Sequence, residues 1–189
     1  MEMHDELKKT VEVLRSGGVI LYPTDTVWGL GCDATNAEAV KRIFDIKKRA
    51  DAKAMLVLVD NPARIQGYVE EVPEIAWELI DVSEKPLTII YPQAKNLAKN
   101  LIADDKSIGI RVTKEAFSKI LCERLRKPVV STSANVSGEP APANFSQVSE
   151  AIKSAVDYVV NYRQNDTAQP KPSSIIKLGI GNVIQIIRE

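Results

Sequence analysis

The chain has 189 residues, of which 44% are hydrophobic and 26% are charged, and its formal net charge is zero. This composition is typical of an ordinary globular protein, and the zero charge argues against a chain that is basic overall for nucleic-acid binding. No apolar run approaches the roughly 20 residues of a membrane helix, and the charged N-terminus lacks the apolar core of a signal peptide. We therefore expect a cytoplasmic protein without a membrane partner.

The single histidine excludes several kinds of active site. His4 lies near the N-terminus, where chains commonly fray, so Ser-His-Asp or Cys-His catalysis is not expected. Cys32 and Cys122 are far apart and have no Cys-x-x-Cys spacing, so no metal site is predicted. If the protein is an enzyme, we expect it to work by positioning its reactants and by stabilising charge.

Hydrophobic periodicity predicts helices and strands that alternate along most of the chain. A helix is predicted over 5–15, a buried strand over 19–22 and a loop over 23–34, and Asn36 is predicted to cap the next helix. The other predicted helices span 62–68, 73–81, 114–126 and 145–153, and the other strands span 55–59, 87–91, 108–112, 129–130, 158–160, 174–178 and 183–187. Because the last strands follow one another, the predicted fold is α/β, with one domain over 1–189 and a twisted mixed sheet flanked by helices.

The segment Tyr-Pro-Thr-Asp-Thr-Val-Trp-Gly-Leu-Gly, at 22–31, follows a predicted strand. Thr24 and Thr26 offer hydroxyl groups at the end of a strand, where ligands of α/β sheets usually bind. The alternative is a plain turn in which Asp25 bonds to its own backbone. No Gly-x-x-x-x-Gly-Lys-Ser/Thr sequence is present, which excludes a Walker-type nucleotide site.

Two further segments are rich in groups that bind anions. Four cations, Lys47, Lys48, Arg49 and Lys53, crowd the C-terminal end of the helix predicted after Asn36, where they either bind phosphate or are a solvated helix end. The loop 131–138, Ser-Thr-Ser-Ala-Asn-Val-Ser-Gly, combines hydroxyl groups with small residues that let a backbone approach a ligand closely. A polar turn explains that loop equally well.

Taken together, these segments resemble the YrdC/Sua5 family, the threonylcarbamoyl-AMP synthases. The family pattern is Pro-Thr-Asp/Glu-Thr-x-x-Gly-Leu, Lys-x-Arg, Arg-Val, Ser-Ala-Asn-x-Ser-Gly and a Pro-Ser-Thr-like step. This chain matches the pattern in the same order at 23–30, 47–49, 111–112, 133–138 and 172–174. The match covers nearly the whole chain. The chain resembles the short form of the family, which lacks the extra C-terminal domain of Sua5.

The resemblance implies a fold with a large cationic cavity and an enzyme of the nucleotidyltransferase type. Its expected reaction condenses L-threonine, bicarbonate and ATP to L-threonylcarbamoyladenylate and pyrophosphate, with Mg²⁺ carried by the ATP phosphates. The product would serve the N6-threonylcarbamoyl modification of adenosine 37 in tRNA, so tRNA and the proteins that transfer the group are expected partners.

The resemblance also implies roles for individual residues. Lys47 and Arg49 are expected to be catalytic and, with Lys53, to bind the ATP phosphates. Ser133 and Asn135 are expected to support ATP. The residues expected to bind L-threonine are Thr26, Arg111, Ser131 and Ser174, with Arg111 on the carboxylate.

Two alternatives to this function remain at the level of sequence. One is a module that binds tRNA or double-stranded RNA, although an aromatic content of 5% supplies few rings for base stacking. The other is a carbamoyl-adenylating domain like that of hydrogenase maturation proteins, which occurs within much longer chains.

Overall fold

A computed structural model describes residues 3–48, 55–181 and 183–189, in which five α-helices flank one sheet of nine strands. The helices are α1 (Met3–Arg15), α2 (Ala37–Lys47), α3 (Glu74–Val82), α4 (Ala116–Leu125) and α5 (Glu150–Ala155). The strands are β1 (Ile20–Tyr22), β2 (Gly29–Gly31), β3 (Leu56–Val59), β4 (Leu87–Tyr91), β5 (Ile108–Val112), β6 (Val129–Ser133), β7 (Tyr158–Val159), β8 (Ser174–Leu178) and β9 (Ile184–Arg188). Short 3₁₀ turns lie at Pro62–Gly67 and Phe145–Gln147.

The sheet has the strand order β7-β1-β2-β6-β3-β5-β4-β8-β9. Three of its strand pairs, β1 with β7, β3 with β5 and β4 with β8, are parallel, and the other five are antiparallel. The predicted α/β class with a mixed sheet is therefore confirmed. Within the described residues, no helix is both long and apolar enough to cross a membrane.

Helix α2 begins as its sequence predicts. The Asn36 side chain accepts a hydrogen bond from the backbone N–H of Ala39, which satisfies one of the free donors of the first turn. Val40 and Ile43 are fully buried on the face that packs against the sheet. The helix ends at Lys48, whose left-handed backbone (φ 51°) turns the chain away from the helix axis. This ending carries Lys47 to one end of the sheet.

The loop predicted over 23–34 is wrong in part, because β2 lies inside it and pairs with both β1 and β6. Two of the three β2 residues are glycines, which have low strand propensity, so the strand carries no local signal. A Cβ atom on Gly31 would lie 2.5 Å from the Tyr22 ring and 2.8 Å from the Val130 carbonyl oxygen. Glycine thus allows three strands to pack closely here.

Two other predicted boundaries also differ from the structure. Strand β6 continues to Ser133, so the first three of the eight residues in the loop predicted at 131–138 belong to a strand that pairs with β2. The helix predicted over 145–153 is divided into a 3₁₀ turn and α5, which begins where the Ser149 hydroxyl accepts a hydrogen bond from the Ile152 N–H. Local capping and ladder pairing override the apolar periodicity in both places.

One face of the sheet is covered over only part of its area. Helices α1 and α4 pack there on a cluster that includes Leu58 of β3 and Val129 of β6. Because side chains alternate along a strand, Leu56, Ser131 and Ser133 project from the same face. These three residues line an open cavity instead of a helix contact. The polar residues of β6 therefore begin where the cover of helices ends.

Candidate active site

A cavity of about 630 Å³ lies on this uncovered part of the sheet, and we call it the sheet cavity. Its floor is formed by β2, β3, β5 and β6, and its rim includes the end of α2, the loop after β6, and β8 and β9 with the residues before β8. Its polar and charged lining residues are Thr26, Lys47, Lys48, Arg111, Ser131, Thr132, Ser133, Asn135, Ser137, Ser173 and Arg188. Among these described lining residues, four are cations and none is a carboxylate.

Arg111 lies on β5, between Thr88 of β4 and Leu58 of β3. Its neighbours Ile110 and Ile108 point into the core, so strand alternation directs Arg111 to the cavity face. The Arg111 side chain is only 3% exposed, and its Nη2 atom donates to the Thr26 hydroxyl over 3.4 Å. A guanidinium group held in this way is well suited to binding a carboxylate or a phosphate.

Asp25 is the ion-pair partner of Arg111. Its Oδ1 atom lies 3.1 Å from Arg111 Nε, although the two atoms do not have the alignment of a hydrogen bond. Burial raises the pKa of the Asp25 carboxyl, and the nearby guanidinium opposes that rise. Burial also lowers the pKa of Arg111, which nevertheless stays protonated because arginine does not titrate in proteins.

Lys47 holds the loop that follows β6. Its side chain is 2% exposed, and its ammonium group donates to the carbonyl oxygens of Ser133 and Asn135 over 2.6 and 2.8 Å. The Lys47 carbonyl also accepts a hydrogen bond from the Ser137 N–H. Lysine and loop therefore form one unit, which fixes the backbone that faces the cavity.

Asn135 completes this loop from inside. Its amide group donates to the carbonyl oxygens of Val136 and Glu139, and its backbone N–H donates to Ser133. Gly138 ends the loop with φ 91°, a conformation that favours glycine. The loop is thus ordered by its own hydrogen bonds, as a preformed binding surface requires.

The sheet cavity brings together most of the residues that the sequence singles out. Those in its lining are Thr26, Lys47, Arg111, Ser131, Ser133 and Asn135. Arg49 and Lys53 lie outside the described residues. Ser174 begins β8, where its N–H donates to the Pro86 carbonyl, and among the described lining residues its neighbour Ser173 takes the place expected for it. The binding roles of all these residues remain predictions.

Two lining residues were missed by the sequence reasoning. Arg188, from the last strand, donates through Nε to the Ser173 carbonyl over 2.8 Å. Ser173 is 1% exposed, and its hydroxyl lies 2.8 Å from that of Thr88. The sequence does mark Arg188, because it is the only charged residue in β9. A lone cation at the end of an apolar strand is a candidate for a specific contact.

The arrangement is suited to anionic ligands. Buried cations and hydroxyl donors around one concave surface can hold carboxylate and phosphate groups and offset the repulsion between them. No group of three or more His, Cys, Asp or Glu side chains that could hold a metal ion occurs in 3–48, 55–181 and 183–189.

Comparison with known proteins adds independent information. A family model for Sua5, YciO and YrdC proteins, described as "Telomere recombination", matches residues 12–189. A threonylcarbamoyl-AMP synthase from Pseudoalteromonas translucida is 34% identical over 173 residues, which are 90% of this chain and 92% of that protein.

Solved structures of Sua5 and YciO proteins have the same fold as this chain. E. coli YciO superposes with a TM-score of 0.85 at 25% identity, covering all of this chain and 90% of that one. P. abyssi Sua5 complexed with L-threonine superposes with a TM-score of 0.84 at 24% identity and covers 97% of this chain. This chain spans only 54% of that Sua5 chain.

Proposed function

Since the chain belongs to the Sua5/YciO/YrdC family, we propose that it is a threonylcarbamoyl-AMP synthase. The observation that carries this proposal is the 34% identity, over nearly the full length of both chains, with a protein of that name. ATP and L-threonine are then its substrates, and the threonine complex of the more distant Sua5 is consistent with that choice. We further propose bicarbonate as the third substrate and tRNA modification as the destination of the product.

Threonine is proposed to bind at the Arg111 end of the sheet cavity. Arg111 would hold the carboxylate, because its buried guanidinium is the best bidentate donor among the described lining residues. Thr26 and Ser131 lie near it and would bind the threonine hydroxyl and amine. We also assign Ser173 to the threonine site, because it lines the cavity where the sequence predicts its neighbour Ser174.

ATP is proposed to bind along the α2 end of the cavity. Lys47, Ser133 and Asn135 supply an ordered loop there, and Arg49 and Lys53 are expected from the sequence to add charge to the phosphate site. Arg188 lies across the cavity and can contribute a further cation. Because no carboxylate occurs in the described lining, Mg²⁺ would be held by the ATP phosphates rather than by protein ligands.

The proposed chemistry needs no protein nucleophile. The threonine amine bonds to the carbon of CO₂ derived from bicarbonate and loses a proton, which gives a carbamate. A carbamate oxygen then bonds to the α-phosphorus of ATP, the bond from that phosphorus to the bridging oxygen breaks, and pyrophosphate leaves. The carbamate and ATP are both anionic when they react, so buried cations lower the barrier by offsetting their repulsion and by fixing their orientation.

The direct test is pyrophosphate release from ATP, with threonine and bicarbonate each omitted in turn. We expect release only when all three are present. Release that depends on carbamoyl phosphate instead would indicate a carbamoyl-adenylating domain. Salt-dependent RNA binding without consumption of ATP would indicate an RNA-binding module.

Substrate choice tests the polar nature of the threonine site. Serine lacks one methyl group, which is worth about 1–3 kcal/mol in an apolar contact, so serine should be a poor but real substrate. Valine lacks the hydroxyl and would leave buried polar groups unpaired, so it should be rejected more strongly. The measurement is kcat/KM for pyrophosphate release with each amino acid. If valine matched serine, the proposed placing of Thr26, Ser131 and Ser173 would be wrong.

A further inference from the structure

Asp25 lies beside Arg111 but is not part of the sheet cavity. Its carboxylate faces a separate small pocket of about 170 Å³, lined mainly by apolar residues such as Leu87 and Ile110. Arg111 and Thr26, in contrast, both line the sheet cavity. Asp25 thus reaches Arg111 from a different pocket than the sheet cavity. We propose that Asp25 is a positioning residue that aims the Arg111 guanidinium at the substrate carboxylate, an inference that rests on the proposed function.

The contacts of Arg111 divide its guanidinium into two parts. Nε faces Asp25 at 3.1 Å, and Nη2 reaches the Thr26 hydroxyl over a long 3.4 Å. A ligand oxygen can easily replace the Thr26 hydroxyl, because its contact with Nη2 is long. The Asp25 carboxylate lies closer to the guanidinium, at Nε. A guanidinium has five N–H donors, so a partner at Nε leaves donors on the terminal nitrogens for bidentate binding.

Hydrogen bonds tie down the backbone on both sides of Asp25. The Thr24 hydroxyl donates to the Val27 carbonyl over 2.7 Å and accepts from the Thr26 N–H over 3.1 Å. From outside, Arg163 Nη1 donates to the Thr24 carbonyl over 3.3 Å. The backbone on both sides of Asp25 is thus held by hydrogen bonds, which fixes the point from which its carboxylate reaches Arg111.

A purely structural role for Asp25 predicts a different outcome. If the carboxylate only compensates a buried charge, its loss lowers stability and affects threonine and ATP alike. It could even tighten threonine binding, because Arg111 would be less neutralised. If Asp25 positions Arg111, its loss weakens threonine binding selectively, and the loss depends on the presence of Arg111.

The experiment compares Asp25→Asn with Asp81→Asn, a matched change at an exposed aspartate of α3. Threonine affinity is measured by calorimetry, and KM for threonine and for ATP by pyrophosphate release. For Asp25→Asn we expect threonine affinity to fall about tenfold, with the KM for ATP unchanged and with no further loss when it is added to Arg111→Ala. Asp81→Asn should match the wild type.

Asp25→Glu keeps the charge and should recover part of the affinity, and it serves as the second variant if Asp25→Asn does not fold. Unchanged or tighter threonine binding in Asp25→Asn, equal losses for threonine and ATP, or additivity with Arg111→Ala would overturn the inference. If the wild type binds threonine but releases no pyrophosphate, the proposed function fails while calorimetry still decides the role of Asp25. If the wild type does not bind threonine, both proposals are overturned.

Discussion

Two concavities in the described part of the chain are lined by several cations, and we propose the smaller one as the substrate site. A groove of about 750 Å³ runs between α1 and α4 and the turn at Pro62–Gly67, and we call it the helix groove. Its lining residues are His4, Lys8, Val11, Glu12, Arg15, Arg64, Glu123, Arg124 and Arg126. It holds more cations than the sheet cavity, but carboxylates are interspersed among them.

The difference lies in how two of the four cations of the sheet cavity are held, since Lys48 and Arg188 are exposed there. In the sheet cavity, Lys47 and Arg111 are 2% and 3% exposed and their donors are directed by fixed partners. In the helix groove, Lys8 and Arg15 are exposed at the surface of α1. Exposed charges are hydrated, mobile and screened by salt, so they add little to the binding of a small anion. We therefore expect specific binding to depend on buried and oriented cations more than on their number.

The sharpest way to break this comparison is to remove one arginine from each concavity. Arg111→Ala should weaken threonine use by about 1.5–3 kcal/mol, or roughly 10- to 150-fold, because a charge-assisted bidentate contact is lost. KM for ATP should change far less. The matched variant Arg15→Ala, in the helix groove, should leave both parameters at their wild-type values. The measurement is pyrophosphate release with each substrate varied.

Stability has to be measured alongside, because Arg111→Ala leaves the buried Asp25 carboxylate without its partner. Thermal unfolding of Arg111→Ala and of Arg111→Ala with Asp25→Asn separates that effect from binding. Equal losses for threonine and ATP in folded protein, or a comparable loss in Arg15→Ala, would remove the distinction between the two concavities.

The second test replaces one lysine of the sheet cavity and one lysine of the helix groove with methionine. Lys47→Met removes the donor to the Ser133 and Asn135 carbonyls, and unsatisfied groups of this kind cost about 1–3 kcal/mol. We expect KM for ATP to rise more than KM for threonine, because the loosened loop is the proposed ATP side. Lys8→Met in the helix groove should have no effect on either. A larger change for threonine than for ATP would show that the loop had been assigned to the wrong substrate.

The sequence predicted the parts of the site that depend on local patterns. Asn36 at the start of α2 and Arg111 within an apolar strand both carry short-range signals, and both predictions are confirmed. Strand β2 could not be predicted, because the need for its Gly31 is explained only by the close approach of Tyr22 and Val130. Long-range packing of this type leaves no local pattern.

The same reasoning explains what was missed at the site. Lys47 reads from sequence as one of several cations at a helix end, and its hydrogen bonds to a loop 86 and 88 residues away are visible only in three dimensions. Ser173 and Ser174 are adjacent and chemically identical, so only the strand register decides which one faces the cavity. Side-chain direction reverses at each step along a strand, which makes such an assignment sensitive to a shift of one residue.

The smallest expected effect concerns an ion pair that is exposed, like the charges of the helix groove. Lys177 Nζ lies 2.6 Å from Asp105 Oδ2, with side chains 37% and 51% exposed. The pKa of Asp105 is lowered to about 2 by hydrogen bonds from Lys177 and from Ser107. Because the folded pKa is below the ordinary value of 3.8, the pair stabilises the protein above that value. The stabilisation is lost as the pH falls through the folded pKa.

Lys177→Met tests whether exposure to solvent limits the stabilisation from an ion pair even when its atoms are close together. We expect the free energy of unfolding at neutral pH to fall by less than about 1 kcal/mol, because solvent screens the pair. The difference from wild type should shrink as the pH is lowered from neutral toward the folded pKa of Asp105, and added salt should reduce it at neutral pH. Urea unfolding across that pH range measures both effects. Suppose that the free energy of unfolding fell by the 1–3 kcal/mol that is roughly expected when the Lys47 contacts are lost. An exposed cation in this protein would then be held as firmly as a buried one. The contrast between the sheet cavity and the helix groove would need another cause.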